Sequence, residues 1–291
     1  MVIMNSFKKY QINVNRSNGI KNVQYIIRII LICVLFIVFM FPVYWVLIGS
    51  FKSQNEFYQY PPTFWPVNPS FSNFKPALFQ LGGIKGIKDS LFVAILNTLI
   101  VLGIGLPLAY SIGRFKFGGG NISFFVLSLL FAPPVIAAVP LFNIFNKIGL
   151  IDKYAVLILS HILFNLPFAV WLMKGFFEEV PIEIENAALL DGYRRFHVFW
   201  KYILPLTLPG ISVTALFVFI FSWNEFLFGL IFTRYNVRTL PIILSSLVGA
   251  DRINWCALST LSLFAIIPGI VLVLFFQKYI VRGLTFGAVK G

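Results

Sequence analysis

The sequence predicts an all-α membrane protein with six transmembrane helices, and two observations carry this prediction. Hydrophobic residues make up 59% of the 291-residue chain and charged residues only 11%, whereas soluble domains carry about 25% charged residues. Such a composition leaves too little polar surface to cover a water-soluble fold. The hydrophobic residues also fall in long continuous runs, which fit helices rather than the short alternating segments of a spanning β-strand.

Six of these runs are long enough to cross a bilayer as a helix, which requires about 20 residues. The runs cover residues 26–49, 91–112, 123–145, 154–173, 211–232 and 256–281. We expect the first run to remain as a span, because it is longer than the core of a signal peptide and has no evident cleavage site. The chain then divides into an N-terminal segment 1–25, a membrane domain 26–281 and a C-terminal tail 282–291.

The distribution of basic residues predicts that both ends of the chain lie in the cytoplasm. With the N-terminus inside, 14 of the 23 Lys and Arg residues fall on the cytoplasmic side, in keeping with the positive-inside preference. The net charge of +13 then reflects topology and contact with anionic lipid. Nucleic-acid binding explains it poorly, because the basic residues form no continuous run. The long polar loop between the first two runs is expected to be ordered and extracellular.

Prolines interrupt three of the predicted spans. Pro107 lies in the second, Pro133 and Pro134 in the third, and Pro268 with Gly269 in the sixth. Each proline removes a backbone hydrogen bond and favours a kink or a break. Such breaks can line a cavity or a gate, but prolines are also common in ordinary membrane-helix packing. The sequence leaves both interpretations open.

The segment between the fourth and fifth spans concentrates the scarce acidic residues of the chain. Five of the ten Asp and Glu residues fall between Glu178 and Asp191. Pro181 suits the first turn of a helix, acids near a helix start complement its dipole, and Gly192 can adopt the left-handed conformation that ends a helix. We therefore predict a short helix over Pro181–Asp191 on the cytoplasmic side.

A second short helix is predicted over Arg194–Ile203, where aromatic and aliphatic side chains recur at helical spacing. It should end before Pro205, because a proline disfavours a helical conformation at the preceding Leu204. The two helices and the glycine turn between them form a cytoplasmic hairpin at the membrane surface.

The residues alone leave two interpretations of the loop 178–205. Two features favour a docking surface for a partner in water. The loop concentrates charge, and the small side chains of Ala187 and Ala188 let another backbone approach. A plain surface loop with an amphipathic helix explains the same pattern.

The loop resembles the "EAA" loop of binding-protein-dependent ABC importer permeases. That pattern is Glu-Ala-Ala, three residues, Gly, nine residues, Ile, one residue, Leu-Pro. Gly192, Leu204 and Pro205 stand at the corresponding spacing. Two positions depart from the pattern, since Asn186 stands at the glutamate position and Tyr202 at the isoleucine position.

Further segments are similar to the carbohydrate branch of this superfamily, the maltose-type permeases. These segments are Asn97-Thr98, Ala109-Tyr110, Arg114–Phe117, Pro140-Leu141, Gly149-Leu150, Phe221–Phe226 and Arg282–Gly291. The resemblance implies the MetI-like permease fold with six spans, both ends inside and a cytoplasmic coupling helix. It also implies residence in a bacterial-type cytoplasmic membrane.

The resemblance implies a transport subunit of an ATP-driven importer for a sugar or oligosaccharide, with another solute such as glycerol phosphate as the alternative. Its implied partners are a second homologous permease, two ATPase subunits and an extracellular solute-binding protein. ATP hydrolysis is expected on the ATPase subunits and not on this chain, which carries no Gly-x4-Gly-Lys-Ser/Thr loop. The residues implied to couple to the ATPase are Glu185, Asn186, Ala187, Ala188, Asp191, Gly192, Leu204 and Pro205.

Glu225 is the one acidic residue deep within a predicted span. A charge there is costly, so it should face protein or water and have a partner. Either it borders the translocation path with Trp223 and Asn224, or it makes a structural hydrogen bond between helices. An ion-coupled secondary transporter with Glu225 as the carrier is less favoured. Such transporters typically show inverted repeats, whereas this sequence shows no clear repeat.

The remaining reactive residue types are assigned packing roles. Cys33 and Cys256 lie in or beside hydrophobic runs, and we interpret both as small hydrophobic side chains. His161 in the fourth span and His197 in the loop fit packing or hydrogen bonding better than ligation. The sequence shows no metal-ligand spacing and no cofactor motif, so neither a metal nor a cofactor is expected.

Overall fold

The computed structural model describes residues 2–249 and 252–286, with side chains described for residues 24–249 and 252–279. The described chain consists of helices and connecting loops, with one isolated β-bridge between Val248 and Ile253. The helices are α1 Val2–Phe51, α2 Gln54–Phe57, α3 Gly83–Phe115, α4 Gly119–Leu129, α5 Pro134–Lys147, α6 Tyr154–Glu179, α7 Ile182–Leu190, α8 Arg195–Val198, α9 Leu204–Leu206, α10 Leu208–Trp223, α11 Leu227–Phe232, α12 Leu240–Ser246 and α13 Trp255–Phe286. Two π-helical turns cover Pro76–Gln80 and Phe199–Ile203.

Six membrane crossings result when each sharply bent pair of helices counts as one span. Four stretches are long and hydrophobic enough to cross alone: Gln24–Phe51 of α1, the whole of α3, the whole of α6 and Trp255–Tyr279 of α13. The pair α4 and α5 is bent by 90°, and Arg195–Leu206 is bent by 78° relative to α10.

The predicted all-α membrane protein is confirmed. Two predicted boundaries differ, because α1 runs through residue 25 and α3 begins at Gly83 rather than near residue 91. The predicted tail 282–291 lies largely outside the described residues.

The prolines named above for the second, third and sixth spans act differently from one another. Pro133 is extended, with φ −63° and ψ 126°, and separates α4 from α5. Pro107 and Pro268 lie inside α3 and α13, which continue as single helices. The third predicted span is therefore broken, whereas the second and sixth are not.

The fifth predicted span, residues 211–232, is not one helix, and that prediction is wrong. α10 ends at Trp223 and α11 begins at Leu227. Between them, the carboxylate of Glu225 accepts hydrogen bonds from the backbone N–H groups of Phe228 and Gly229. Water cannot satisfy backbone N–H groups inside a bilayer. Because the Glu225 side chain satisfies them instead, the helix can break at this point.

The helix that was expected to end before Pro205 continues through it, so this boundary is also wrong. Leu204 has helical angles of φ −59° and ψ −45°, and Pro205 lies inside α9. The π turn over Phe199–Ile203 directly precedes α9. Its wider backbone leaves room for the proline ring, which would clash with a carbonyl in a regular α-helix. The sharp bend falls at Thr207, between α9 and α10.

Two aspartates fix the loop that follows α11. Asp152 accepts hydrogen bonds from the backbone N–H groups of residues 234–237, at 2.8–3.3 Å. Partial burial alone would raise the pKa of the Asp152 carboxyl, but these hydrogen bonds hold its pKa below the ordinary value. Asp89 accepts hydrogen bonds from the N–H of Arg238 and from Tyr154 Oη, both at 2.8 Å.

The centre of the bundle is formed by α3, α6 and α10, which all contact one another. α13 packs against α10, and α1 packs chiefly against α13. At one end of the bundle, buried side chains of α3, α6 and the loop between α6 and α10 form one hydrophobic cluster that includes Met173, Phe177 and Ile203. This cluster ties the predicted hairpin to the two most extensively packed helices.

Gly86 on α3 has no room for a side chain. A Cβ atom at this position would lie 2.5 Å from Ile243 Cδ1 and 3.2 Å from Leu240 Cα. The substitution Gly86→Ala should therefore lower the free energy of unfolding by about 1–3 kcal/mol, the usual cost of overpacking. Gly103→Ala on the same helix is the matched control, because a Cβ there meets no atom within 4 Å. Thermal unfolding in detergent measures both, and equal melting temperatures would contradict the packing of α12 on α3.

Candidate functional site

The predicted cytoplasmic hairpin begins with α7, whose ends agree with the sequence expectation to within one residue. Pro181 stands at the N-cap position of α7, and Gly192 follows the end of α7 with a φ of +86°. The N–H of Gly192 donates to the Leu189 carbonyl at 3.0 Å, and the N–H of Tyr193 donates to the Ala188 carbonyl at 3.1 Å. This pair of hydrogen bonds is the Schellman arrangement. The left-handed glycine turn is therefore confirmed.

α7 has one face buried against the protein and one face open to its surroundings. Glu185 and Ala188 are buried, at 4% and 5% exposure. Asn186, Ala187 and Leu190 point away, and Leu190 is 89% exposed. Of the two alanines that were expected to admit another backbone, only Ala187 lies on the open face.

Glu185 joins α7 to the end of α3 through a buried ion pair. Its Oε1 atom lies 2.5 Å from Arg114 Nε, and its Oε2 atom accepts a hydrogen bond from Tyr110 Oη at 2.9 Å. Arg114 also donates to the carbonyl of Val180, at the junction of α6 and α7. We call Tyr110, Arg114 and Glu185 the inner clasp. It connects α3, the end of α6 and α7 at one point.

The residues predicted to couple to an ATPase therefore fall into two groups. Three are buried against this chain: Glu185, Ala188 and Leu204. Five are exposed: Asn186, Ala187, Asp191, Gly192 and Pro205. Glu185 is directed inwards, whereas Asn186, which stands at the position of the pattern glutamate, is exposed.

A second candidate site lies where the breaks in two helices meet within the membrane domain. The break between α4 and α5 and the break between α10 and α11 both border a cavity of about 390 Å³. Its polar and aromatic lining consists of His161, Asn165, Glu225, Phe164, Phe168, Phe221 and Phe228. Discontinuous membrane helices commonly surround a binding site in this way.

A network of five polar side chains connects α3, α6 and the break after α10. Asn97 Oδ1 accepts hydrogen bonds from Asn165 Nδ2 at 2.8 Å and from Ser222 Oγ at 2.9 Å. His161 places Nδ1 at 3.0 Å from Ser222 Oγ and Nε2 at 3.3 Å from Glu225 Oε2. Polar side chains within a membrane require partners, so this network fixes the three helices relative to one another.

The three residues predicted to border a translocation path lie in different environments. Trp223 is buried, and its Nε1 donates to the Ala265 carbonyl of α13 at 3.0 Å. Asn224 is exposed, and its side-chain amide donates to the Ile220 carbonyl at 3.0 Å. Of the three, only Glu225 lines the cavity.

Asn97, Asn165 and Ser222 were not predicted as site residues, although the sequence carries a signal for them. Each is a polar residue within or beside a hydrophobic run, and such residues are usually paired in membrane helices. Their meeting point could not be derived from the sequence, because they lie on three different helices. His161 does make the hydrogen bonds that were expected of it.

The sequence matches a known family and several characterised relatives. The family described as "Binding-protein-dependent transport system inner membrane component" matches residues 104–286. The trehalose/maltose transport system permease protein MalG of Thermococcus litoralis is 33% identical over 281 residues, covering 95% of this chain and 99% of that protein. The trehalose transport system permease protein SugB of Mycobacterium tuberculosis is 36% identical over 234 residues, covering 78% and 84%.

A solved structure has the same fold. It is a bacterial ABC transporter involved in the import of the acidic polysaccharide alginate, and one of its chains superposes with a TM-score of 0.73 at 20% identity. The match covers 89% of this chain and 97% of that chain. The chain belongs to the binding-protein-dependent transport system inner membrane components, which are the multi-pass permease subunits of ABC transporters in the cytoplasmic membrane.

Proposed function

We propose that this chain is the transmembrane subunit of an ATP-driven importer that moves a sugar or oligosaccharide into the cell. The names of its relatives, which transport trehalose or maltose, support a sugar as the substrate. The observation that carries the proposal is the two-sided geometry of α7. One face is held to the membrane helices by the inner clasp, and the other face is open for a partner.

The open face of α7 has the character of a protein contact. Leu190 is 89% exposed, and Phe196 at the start of the second helix is 71% exposed. Large hydrophobic side chains on a loop at the water boundary mark interaction surfaces. We infer that an ATPase subunit covers Leu190 and Asn186. This chain then makes its ATPase contact through hydrophobic packing and an amide, without a carboxylate at the pattern position.

The buried face of α7 provides the connection to the transport path. Arg114 belongs to α3 and bonds both Glu185 of α7 and the carbonyl of Val180 after α6. A displacement of α7 therefore acts on α3 and α6 together. These two helices carry Asn97 and His161 of the polar network beside the cavity.

The movement that follows is a rigid-body switch between two packings of the membrane helices. ATP drives the switch because the ATPase dimer binds one packing more tightly than the other. The assembly comprises this chain, a second homologous permease, two ATPase subunits and an extracellular solute-binding protein. Both ends of this chain then lie in the cytoplasm, as the distribution of basic residues indicates.

Reconstitution of the complete assembly in liposomes tests the function. Uptake of radiolabelled trehalose or maltose should require ATP on the side of the ATPase subunits and the binding protein on the other side. The control is the assembly with an ATPase that cannot hydrolyse ATP. Uptake driven by a proton or sodium gradient without ATP would contradict the proposal and favour an ion-coupled transporter.

Substitution of Leu190 tests the open face of α7. Leu190→Arg should leave folding intact, because the side chain is almost fully exposed. It should weaken ATPase binding by about 2 kcal/mol or more, the usual cost of losing an interface hot spot. Co-purification of the ATPase measures this, and Leu190→Met serves as the size-matched control. Equal ATPase recovery with both variants would place the contact elsewhere.

Substitutions in the inner clasp separate stability from transmission. Arg114→Leu leaves the Glu185 carboxylate buried without its cation, which should cost about 3–5 kcal/mol. The double variant Arg114→Leu/Glu185→Leu should recover much of that stability, because no buried charge remains. If the inner clasp transmits movement, the amount of sugar transported per ATP hydrolysed should remain below that of the wild type in the double variant. Full recovery of both melting temperature and coupling would show that the clasp only stabilises the fold.

A further inference from the structure

We propose that five basic residues at the extracellular end of the bundle form a docking surface for an acidic face of the solute-binding protein. They are Lys85, Lys88, Lys153, Arg234 and Arg238, which we call the outer basic patch. The proposal rests on the proposed function, which includes an extracellular binding protein. It adds where on this chain that protein binds and which chemistry its surface must have.

Three parts of the chain bring the outer basic patch together. They are the first turns of α3, the residue before α6 and the loop between α11 and α12. Lys85 Nζ donates a hydrogen bond to the Asn236 carbonyl in that loop, at 2.6 Å. Asp152, which directly precedes Lys153, accepts a hydrogen bond from the N–H of Arg234 at 2.8 Å. The basic residues therefore share one surface, although they are far apart in sequence.

The two acidic residues in this region do not neutralise the outer basic patch. Asp89 is only 4% exposed, and its carboxylate already bonds Lys85, the Tyr154 hydroxyl and the N–H of Arg238. The carboxylate of Asp152 accepts four backbone hydrogen bonds. Of the five basic side chains, only Lys85 forms an ion pair with another described residue. The surface therefore keeps a surplus of positive charge.

This surplus lies on the side of the membrane where topology does not call for basic residues. Nine of the 23 Lys and Arg residues fall outside in the predicted topology, and five of these nine form the outer basic patch. The positive-inside preference and the attraction of the anionic cytoplasmic leaflet account for basic residues in the cytoplasm, and neither applies here. An acidic partner in the extracellular space accounts for them.

The loop that carries the two arginines has a fixed backbone. The carboxylate of Asp152 holds the N–H groups of residues 234–237, and Tyr235 in this segment is 86% exposed. Tyrosine and arginine often dominate the energetics of protein interfaces, and a fixed loop loses little conformational entropy on binding. Such a loop suits the defined surface of a protein, whereas fluid lipid headgroups require no fixed geometry.

A partner that arrives by diffusion benefits most from this charge. The binding protein must meet the permease anew with each load, and complementary charge speeds and orients such encounters. The second permease stays beside this chain in the membrane and requires no such attraction. The outer basic patch therefore fits an acidic surface of the binding protein.

The test measures how the complete importer responds to its binding protein at different salt concentrations. The importer is held in lipid nanodiscs, which leave both faces accessible, and ATP hydrolysis is followed as the binding protein loaded with maltose or trehalose is titrated. The concentration of binding protein that gives half-maximal stimulation should rise between about 50 and about 300 mM sodium chloride, because salt screens exposed charges.

Removal of charge from the outer basic patch should weaken this response. The double variant Arg234→Gln/Arg238→Gln should raise the half-maximal concentration about tenfold at low salt and reduce its dependence on salt. Lys75→Gln is the matched control and should behave as the wild type, because Lys75 is an exposed lysine of the first extracellular loop outside the patch. A merely structural role of the arginines would lower the melting temperature and leave the salt dependence unchanged.

The outcomes separate the docking surface from the proposed function. A half-maximal concentration that is the same in the double variant and the wild type refutes the docking surface while the function stands. Loss of bound phosphatidylglycerol with a wild-type response to the binding protein also refutes it, because the patch then contacts lipid. If the binding protein does not stimulate the wild-type importer at all, the proposed function fails as well. If the double variant does not assemble, Arg234→Gln decides alone, because Arg234 is exposed.

Discussion

A helix that breaks inside a bilayer must find new partners for its freed backbone groups, and in this protein Glu225 supplies them. Its carboxylate accepts hydrogen bonds from the N–H groups of Phe228 and Gly229 in the first turn of α11. At a helix end in a soluble protein, water would satisfy such groups. A carboxylate within a membrane also needs a partner, and His161 of α6 places its Nε2 atom 3.3 Å from Glu225 Oε2. The break in the fifth span, its attachment to α6 and the cavity beside it therefore depend on one side chain.

The same physical rule explains how firmly the short helix α7 is held to the membrane domain. A surface ion pair contributes little to stability, and a helix held only by such pairs would move independently of the bundle. The pair between Arg114 and Glu185 is instead buried, with 9% and 6% side-chain exposure, and is completed by the Tyr110 hydroxyl. Breaking such a pair is costly, so α7 is firmly attached to the end of α3.

The sequence predicted the class of the fold well, because continuous hydrophobic runs of bilayer length have few alternatives to helices. It also predicted the ends of α7, since Pro181 and Gly192 act locally. The sequence-based prediction was wrong where residues far apart in the chain determine the backbone conformation. The break after Trp223 depends on a carboxylate that folds back and on a histidine of another helix, and Pro205 is tolerated because of the π turn before it. The direction of Glu185 could not be predicted for the same reason, because it depends on Arg114 of α3.

The first helix has a consequence for how the molecule can change shape. Every large hydrophobic side chain of α1 between Ile29 and Phe41 is at least two-fifths exposed, and the helix packs chiefly against α13 near its end. Within this chain, the stretch from Ile29 to Phe41 is therefore open to lipid tails or to a partner subunit. A change in the angle between α3 and α6 would therefore disrupt few contacts of α1 within this chain, so the first span places little resistance on the inner helices.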